Sequence, residues 1–377
     1  MNSTNKFIVL KAIATQGPLS RIELSHMTGL SKMTITSLIN EYISNGILRE
    51  CGVTKSTIGR KPTLLEVVPD SLLTLGVSMG RDVLQVGIIN LKGQIVRSEN
   101  MPFSLMESNE GLLESLFLLC DRLYSDTMKE KIWGIGVSCA GPLSIQHGLI
   151  LNPPDFNNIH DLHIVKELAD RYGLPVYLQN DMCLAALAEL YFGNKQQYKN
   201  FIYIGISSGI GGGVIINRKL YTGSTGLAGV IGHSIVEING IPCECGQRGC
   251  LEKYSSTRAI LQWARQNGAD KDLSWMELVS RASSNDEICL RAINRLTDYL
   301  EVAITNMESA YDTECFIIGG DLHYCQDMVV KHLEEKLQSR SLIWGQWRKV
   351  MVESSSFMGN ASIIGTAALV MENNLRT

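Results

Sequence analysis

The sequence predicts an α/β protein of two similar halves, led by a small winged helix-turn-helix, and three observations carry that prediction. Over the first 50 residues, apolar side chains recur at helical spacing with a capping residue ahead of successive runs. From Leu73 onward, short apolar strands alternate with glycine turns and helical stretches. The chain is also 377 residues long with 45% apolar content, too long for one ordinary domain and rich enough in core formers for two or three. The expected boundaries are 1–70 for the winged helix, 71–185 for the N-terminal lobe and 186–377 for the C-terminal lobe.

Phe7, Leu10, Ile13 and Ala14 predict a first helix that Gly17-Pro18 ends. Ser20-Arg21-Ile22-Glu23 then has the form of a capping box, with Leu24 and Met27 expected to face inward. Gly29 closes this short helix. Ser31 caps a third, whose stripe of Ile35, Leu38, Ile39, Tyr42 and Ile43 leaves Lys32, Thr34, Ser37 and Asn40 on the other face. Two short helices around a glycine turn, the second polar in its N-terminal half, form the pattern that enters a DNA major groove. Ser31, Lys32, Thr34, Thr36 and Ser37 are therefore expected at base edges or phosphates. Ile47-Leu48-Arg49 and Thr63 to Val68 flank a loop containing Gly59-Arg60-Lys61-Pro62, a two-stranded wing with Arg60 and Lys61 at its tip. The competing reading is a small helical bundle with a solvated charged face.

Charge agrees with the division. Residues 1–68 carry eight Lys+Arg against four Asp+Glu, a net of +4 within a chain of net -4, so a small basic module precedes a larger acidic one. The overall balance excludes a protein that coats nucleic acid along its whole length.

In the second part, Thr74 to Val77 and Val83 to Ile89 read as a hairpin ending at the turn Asn90-Leu91-Lys92-Gly93. Ile132 to Val137 and Val176 to Leu178 read as buried strands. Phe201 to Ile206 and Gly212 to Ile216 read as a second hairpin around a glycine-rich turn, and Cys315 to Ile318 runs into Gly319-Gly320. Helical stretches are expected near 111–124, 162–172, 182–192, 256–267 and 286–310.

The start MNSTNK has no signal-peptide form, and no uncharged segment reaches membrane-spanning length, so the cytoplasm is the expected location and no membrane partner is expected. In that reducing compartment the ten cysteines are expected as buried thiols or metal ligands rather than disulfides. The most specific chemical signal is His233, Cys243, Cys245 and Cys250, spaced His-x9-Cys-x-Cys-x4-Cys. One imidazole and three thiolates suit tetrahedral zinc, and with all four positions filled by protein the expected role is structural. The competing reading is a set of scattered core thiols.

These residues also carry a family resemblance. Gly232-His233 followed by Cys243-Glu244-Cys245-Gly246-Gln247-Arg248-Gly249-Cys250-Leu251-Glu252 resembles the signature of the ROK family (repressors, open reading frames and kinases), and the resemblance runs through nearly the whole chain. Leu178-Gln179-Asn180-Asp181 is similar to the family's sugar and catalytic-base motif, and Ser208 to Gly213 to its phosphate-facing turn. Val137 to Pro142 is similar to its sugar-side loop, and the N-terminal winged helix matches the repressor branch. The resemblance implies a two-lobed actin/hexokinase-like sugar-kinase fold in which Gly141, Asn180, Asp181, His233 and Glu252 contact sugar, with His233 shared between sugar and zinc. Asp181 taken alone would as readily cap the helix that follows it.

The resemblance also implies a lost activity. The kinase branch carries Asp-x-Gly-Gly-Thr in its first hairpin, where this chain reads Ser78-Met79-Gly80-Arg81-Asp82. Phosphoryl transfer rests on metal positioning and electrostatics. With Ser78 lacking a carboxylate and with Arg81 and Asp82 in place of glycine and a hydroxyl, Asp181 is left as a vestigial base and Gly209, Gly211 and Gly212 as a vestigial nucleotide loop. Val230 and Met182-Cys183 depart from the family pattern near the pocket, which leaves the effector sugar open. The expectation is a sugar-responsive transcriptional regulator, most simply a repressor, and not an enzyme. It would bind operator DNA as a homodimer, or as a tetramer formed from two such dimers, with Asp286 to Met307 supplying an interface. The alternatives are a bifunctional ATP-dependent sugar kinase with a DNA-binding domain and, third, a ligand-independent architectural or interaction protein.

Overall fold

A computed structural model describes residues 3–53, 62–124, 126–156, 158–338 and 350–375. Its chain forms two compact units, Met1–Phe192 with Ser362–Thr377, and Gly193–Ala361.

The first unit opens with helices Ser3–Gln16, Arg21–Thr28 and Lys32–Ser44. Ser20 Oγ accepts the Glu23 N–H at 3.3 Å while the Ser20 N–H donates to Glu23 Oε2 at 2.7 Å, so the expected capping box is complete. Those bonds, led by the one from the Ser20 backbone, hold the Glu23 carboxyl below the usual carboxylate range. Ser20→Ala should cost the winged helix about 1 kcal/mol, read as a lower denaturant midpoint with unchanged slope. Ser31 Oγ likewise accepts the Thr34 N–H at 3.2 Å. Phe7, Leu10, Ile13, Leu24, Ile35, Leu38, Ile39 and Tyr42 make the buried centre. Met27, expected inside, is 46% exposed, because a helix of only 8 residues turns just Leu24 fully into that centre.

Strands Leu48–Val53 and Thr63–Val67 pair antiparallel with Leu48 opposite Val67, as a wing requires. A two-residue strand, Leu19–Ser20, adds to the other side of Thr63–Val67, a pairing too short to leave a period in the sequence. The expected wing tip, Arg60 and Lys61, lies outside the described residues.

The first unit continues as a five-stranded sheet. Its spatial order is Val176–Asn180, Ile132–Cys139, Leu73–Met79, Val83–Asn90 and Ile95–Pro102, with the first three parallel and the last two meandering antiparallel. The edge strand Ile95–Pro102 was not expected, since exposed Arg97 and half-buried Glu99 break up any apolar run. On one side of the sheet Leu112, Leu116, Leu119 and Leu123 of helix Asn109–Leu123 join the core with Val77, Val86 and Val137. Register sets up the site: Asn180 and Met79 both lie opposite Cys139, so three parallel strands end together. In open α/β sheets, ligands bind outside such carboxyl ends.

The second unit repeats the plan, in the order Lys219–Tyr221, Ile210–Ile216, Phe201–Ile206, Cys315–Gly320 and Met351–Ser354. The long helix Glu287–Tyr311 buries Leu296, Leu300 and Ile304 in its core, and Asp286 caps it by accepting the Cys289 N–H at 3.0 Å. Gly211 and Gly212 lie inside strand Ile210–Ile216, opposite Gly205 and Ile204. The turn is thereby narrowed to Ser207–Gly209, a correction to the wider glycine turn expected. Among the described residues no helix is long and apolar enough to cross a membrane.

Candidate functional site

In the first unit Ser78 and Asn180 lie at the ends of their parallel strands, Arg81 and Gly141 just beyond strand ends, and Asp181 at the start of the helix that follows. Asn180 Oδ1 accepts the N–H groups of Met182 and Cys183 at 3.0 and 3.3 Å, so Asn180, rather than Asp181, caps the helix Asp181–Phe192. Those bonds consume its carbonyl and direct its amide nitrogen toward Gly141, where a hypothetical Cβ would stand 3.9 Å from Asn180 Nδ2. Asp181 occupies the first turn, where the helix dipole favours negative charge, and its Oδ1 accepts the Met182 N–H at 2.9 Å. Burial nonetheless raises its pKa, with the Met182 N–H and the Arg81 guanidinium opposing. Burial also pushes the neighbouring Cys183 thiol up to about 12, which keeps it neutral. A carboxyl less acidic than usual, next to an oriented amide, suits the directional reading of hydroxyl groups.

Ser78 Oγ shares a hydrogen bond with Ser362 Oγ at 3.2 Å. The hairpin's Ser78 hydroxyl is thereby tied to the last helix, Ala361–Asn374. Three residues further on, Arg81 supplies a cation that acts electrostatically on Asp181. No separation in sequence hints at that Arg81 to Asp181 relation, and sequence reasoning missed it.

In the second unit His233, Cys243, Cys245 and Cys250 converge, their ligand atoms all within 4.8 Å of one another. His233 Nδ1 lies 3.6 Å from Cys243 Sγ, and Cys245 Sγ lies 3.6 Å from Cys250 Sγ. With metal–sulfur bonds of about 2.3 Å and metal–nitrogen bonds of about 2.0–2.1 Å, the edges of a tetrahedron measure roughly 3.5–3.8 Å. The donor set therefore fits a metal ion. The local fold requires glycine: Gly249 has φ +75°, and a Cβ there would meet Glu237 O at 1.7 Å. The Cys243 N–H donates to Gln247 O at 2.9 Å and closes the loop. Backbone donation from Gln247 holds the Cys245 thiol below its ordinary range, while burial raises those of Cys243 and Cys250. With Nδ1 on the metal side, the His233 Nε2 is left for other partners.

Glu252 Oε2 accepts the Ile210 N–H at 2.9 Å, so this side chain links the metal loop to the narrow turn at Ser207–Gly209. Thus Gly141, Asn180 and Asp181 gather in one unit, and His233, Glu252, Gly209, Gly211 and Gly212 in the other. On the helix Lys32–Ser44, Ser31, Lys32, Thr36 and Ser37 are exposed, and Thr34 is half-buried with its hydroxyl 2.9 Å from Ser31 Oγ. Thr36 Oγ1 donates back to Lys32 O at 2.8 Å. Met33 is 84% exposed on this polar face and was not singled out from the sequence, where a methionine in a helix reads as core.

Residues 74–373 match the sequence profile of the ROK family. The xylose repressor of Caldicellulosiruptor bescii is 29% identical over 391 residues, covering 100% of this chain and 97% of its own. A crystal structure of a ROK family transcriptional regulator, a homologue of the Escherichia coli MLC protein, shares the fold with a TM-score of 0.81. It is 24% identical, over 100% of this chain and 99% of its own. A ROK family glucokinase from Streptomyces griseus, solved with glucose and AMPPNP, has a TM-score of 0.70 at 25% identity, over 79% of this chain and 98% of its own.

Proposed function

The chain belongs to the ROK family, and from that premise we propose that it is a sugar-responsive transcriptional repressor whose effector is an aldose of the xylose class. The observation that carries this reading is the three helices and paired strands Leu48–Val53 and Thr63–Val67 of a winged helix, in one compact unit with the strand ends beside Asn180 and Asp181. End-to-end matching favours a regulator over a kinase, since the glucokinase spans 79% of the chain, and the effector class is taken from the xylose repressor, 29% identical over 97% of its own length.

Each part has an assigned task. Lys32, Thr36 and Ser37 contact operator DNA from the helix Lys32–Ser44, with Ser31 and Thr34 at its N-terminus on phosphate, and Arg60 and Lys61, outside the described residues, add contacts to phosphates or the minor groove. Met33 supplies an apolar contact of the kind that reads a thymine methyl group. A single module of this size makes few phosphate contacts, so a homodimer spans two half-sites. Asn180, Asp181, His233 and Glu252 bind sugar hydroxyls, with Gly141 leaving room beside Asn180. The metal is zinc, held by His233, Cys243, Cys245 and Cys250; its chemistry is structural, fixing the loop and orienting His233. With a hydroxyl tied to Ser362 at position 78, in place of the kinase branch's carboxylate, and with Arg81 acting on Asp181, ATP is not turned over. The protein works in the cytoplasm.

Thermal shifts against aldoses, N-acetylated sugars and their phosphates, with and without ATP and magnesium, test this reading together with an operator-binding titration. Xylose at a hundredfold excess over its Kd should add about 2.7 kcal/mol of stability without ATP, and should weaken operator binding. Stabilisation that requires ATP and releases ADP would establish the bifunctional kinase instead.

A further inference from the structure

Two helices of the first unit run from the pocket end of the sheet toward the winged helix, and their far ends meet on one of its side chains. The helix Asp181–Phe192 begins at the Asn180–Asp181 corner, and every residue from Cys183 to Tyr191 is buried. The helix Ala361–Asn374 has its second residue, Ser362, hydrogen-bonded to the altered hairpin at Ser78. The pair cross in backbone contact: a Cβ on Gly365 would stand 1.9 Å from Leu184 O, so only glycine permits the approach. At their other ends the Tyr191 hydroxyl donates to Glu372 Oε1. Lys11, from the first helix of the winged helix, is seated on that couple. Its Nζ lies 4.1 Å from the Tyr191 ring centroid and 3.8 Å from Glu372 Oε1, with the two charged side chains only 20% and 14% exposed. Lys92, in the turn after strand Val83–Asn90, adds a second tether by donating to Ala14 O at 3.1 Å.

We propose that Lys11 is the positioning residue through which the winged helix reads the effector pocket. This rests on the repressor reading above and names its route of regulation. A buried, close-packed helix has no soft layer in which to absorb a displacement, so a shift of the Asn180–Asp181 corner on sugar binding carries along the helix to Tyr191. The Ser78–Ser362 contact gives the second helix the same access to Glu372. Lys11 holds both ends through one cation: a cation–π contact to Tyr191 and an ion pair to Glu372, each strengthened by exclusion of water. The coupling thus has two distinct sites and a defined mechanical element between them.

The test uses the full-length protein, xylose, and a DNA duplex that the protein itself selects from a random pool. Lys11→Met keeps the length and apolar stem of the side chain and removes its charge; Glu372→Gln keeps the shape of the other partner. In both variants the xylose-induced thermal shift should match wild type and operator binding without sugar should persist. The ratio of operator Kd with and without xylose should fall from the roughly 5- to 150-fold typical of coupled sites toward 1. Lys11→Arg, which retains charge and ring stacking, should retain the wild-type ratio. Where Lys11→Met does not fold, Glu372→Gln decides the question. A wild-type ratio in Lys11→Met, or in Glu372→Gln where Lys11→Met does not fold, overturns the Lys11 route. A wild-type protein whose operator affinity ignores xylose overturns instead the repressor reading on which the route rests.

Discussion

Asp181→Asn should weaken sugar binding by roughly 10- to 150-fold and at the same time raise the melting temperature at neutral pH. The first effect follows from losing a charged hydrogen-bond acceptor, worth about 1.5–3 kcal/mol, in a pocket from which water is displaced. The second follows from the raised pKa of this carboxyl, which burial dominates. Below the ordinary carboxylate range, folded and unfolded chains both carry the proton and no charge is buried. As the pH rises past that range the unfolded chain ionises first, and once it passes the raised folded value the native state also ionises, against burial. Stability is therefore lost on the alkaline side. Asparagine does not ionise. The melting temperature of Asp181→Asn should exceed that of wild type at pH 7, with the gap closing toward about pH 4. An equal gap at both values would show that the gain has another origin, and unchanged sugar affinity would remove Asp181 from the pocket. A site that stores instability in a residue it needs is the usual exchange between stability and function.

The second large effect is expected from the metal. Chelation, or Cys250→Ser, should release one zinc per chain and leave the loop Cys243–Cys250 without its cross-link. Structural zinc sites contribute about 10–16 kcal/mol of apparent binding energy in small zinc-dependent folds. Here the second unit has its own core of Ile204, Leu278, Leu296, Ile304 and Phe316, so the loss should stay local. Protease cleavage within the loop should rise by at least about tenfold, since local opening governs such cleavage, while the unit keeps its cooperative transition. Sugar affinity should fall with zinc content, because the metal fixes the ring of His233 through Nδ1. Stripped protein that keeps both protease resistance and sugar affinity would show that the cysteines hold the loop unaided.

What the sequence made legible was local. Ser20 and Ser31 announce helix starts because a cap needs only its own next three residues, and both do so in the structure. The metal cluster was legible because three of its four ligands fall within eight residues and only their spacing had to be read. Long-range relations were not. The helix Ala361–Asn374 is apolar nearly all round, so it has no amphipathic period to betray it, and Gly365 inside it reads as a helix breaker until Leu184 is seen against it. Helices Trp275–Ser283 and Gln326–Gln338 were also missed. Arg81 and Asp181, a hundred residues apart, become neighbours only through the parallel register that ends Leu73–Met79 and Val176–Asn180 at the same level as Cys139. Asn180 was assigned to sugar while its capping role went unseen, since the adjacent Asp181 is the more familiar cap.

The composition of the first unit from Met1–Phe192 and Ser362–Thr377 also orders events on the ribosome. The winged helix emerges early, but the sheet that carries it lacks the helix that fills the space over Gly76 and Gly136 until residues beyond 361 have been made. At typical elongation rates the intervening Gly193–Ala361 takes roughly ten to thirty seconds. During that interval the nascent chain exposes an unfinished apolar seam and a DNA-binding surface without its regulator, so chaperone occupancy should peak there, and competence to answer sugar should be the last property the protein acquires.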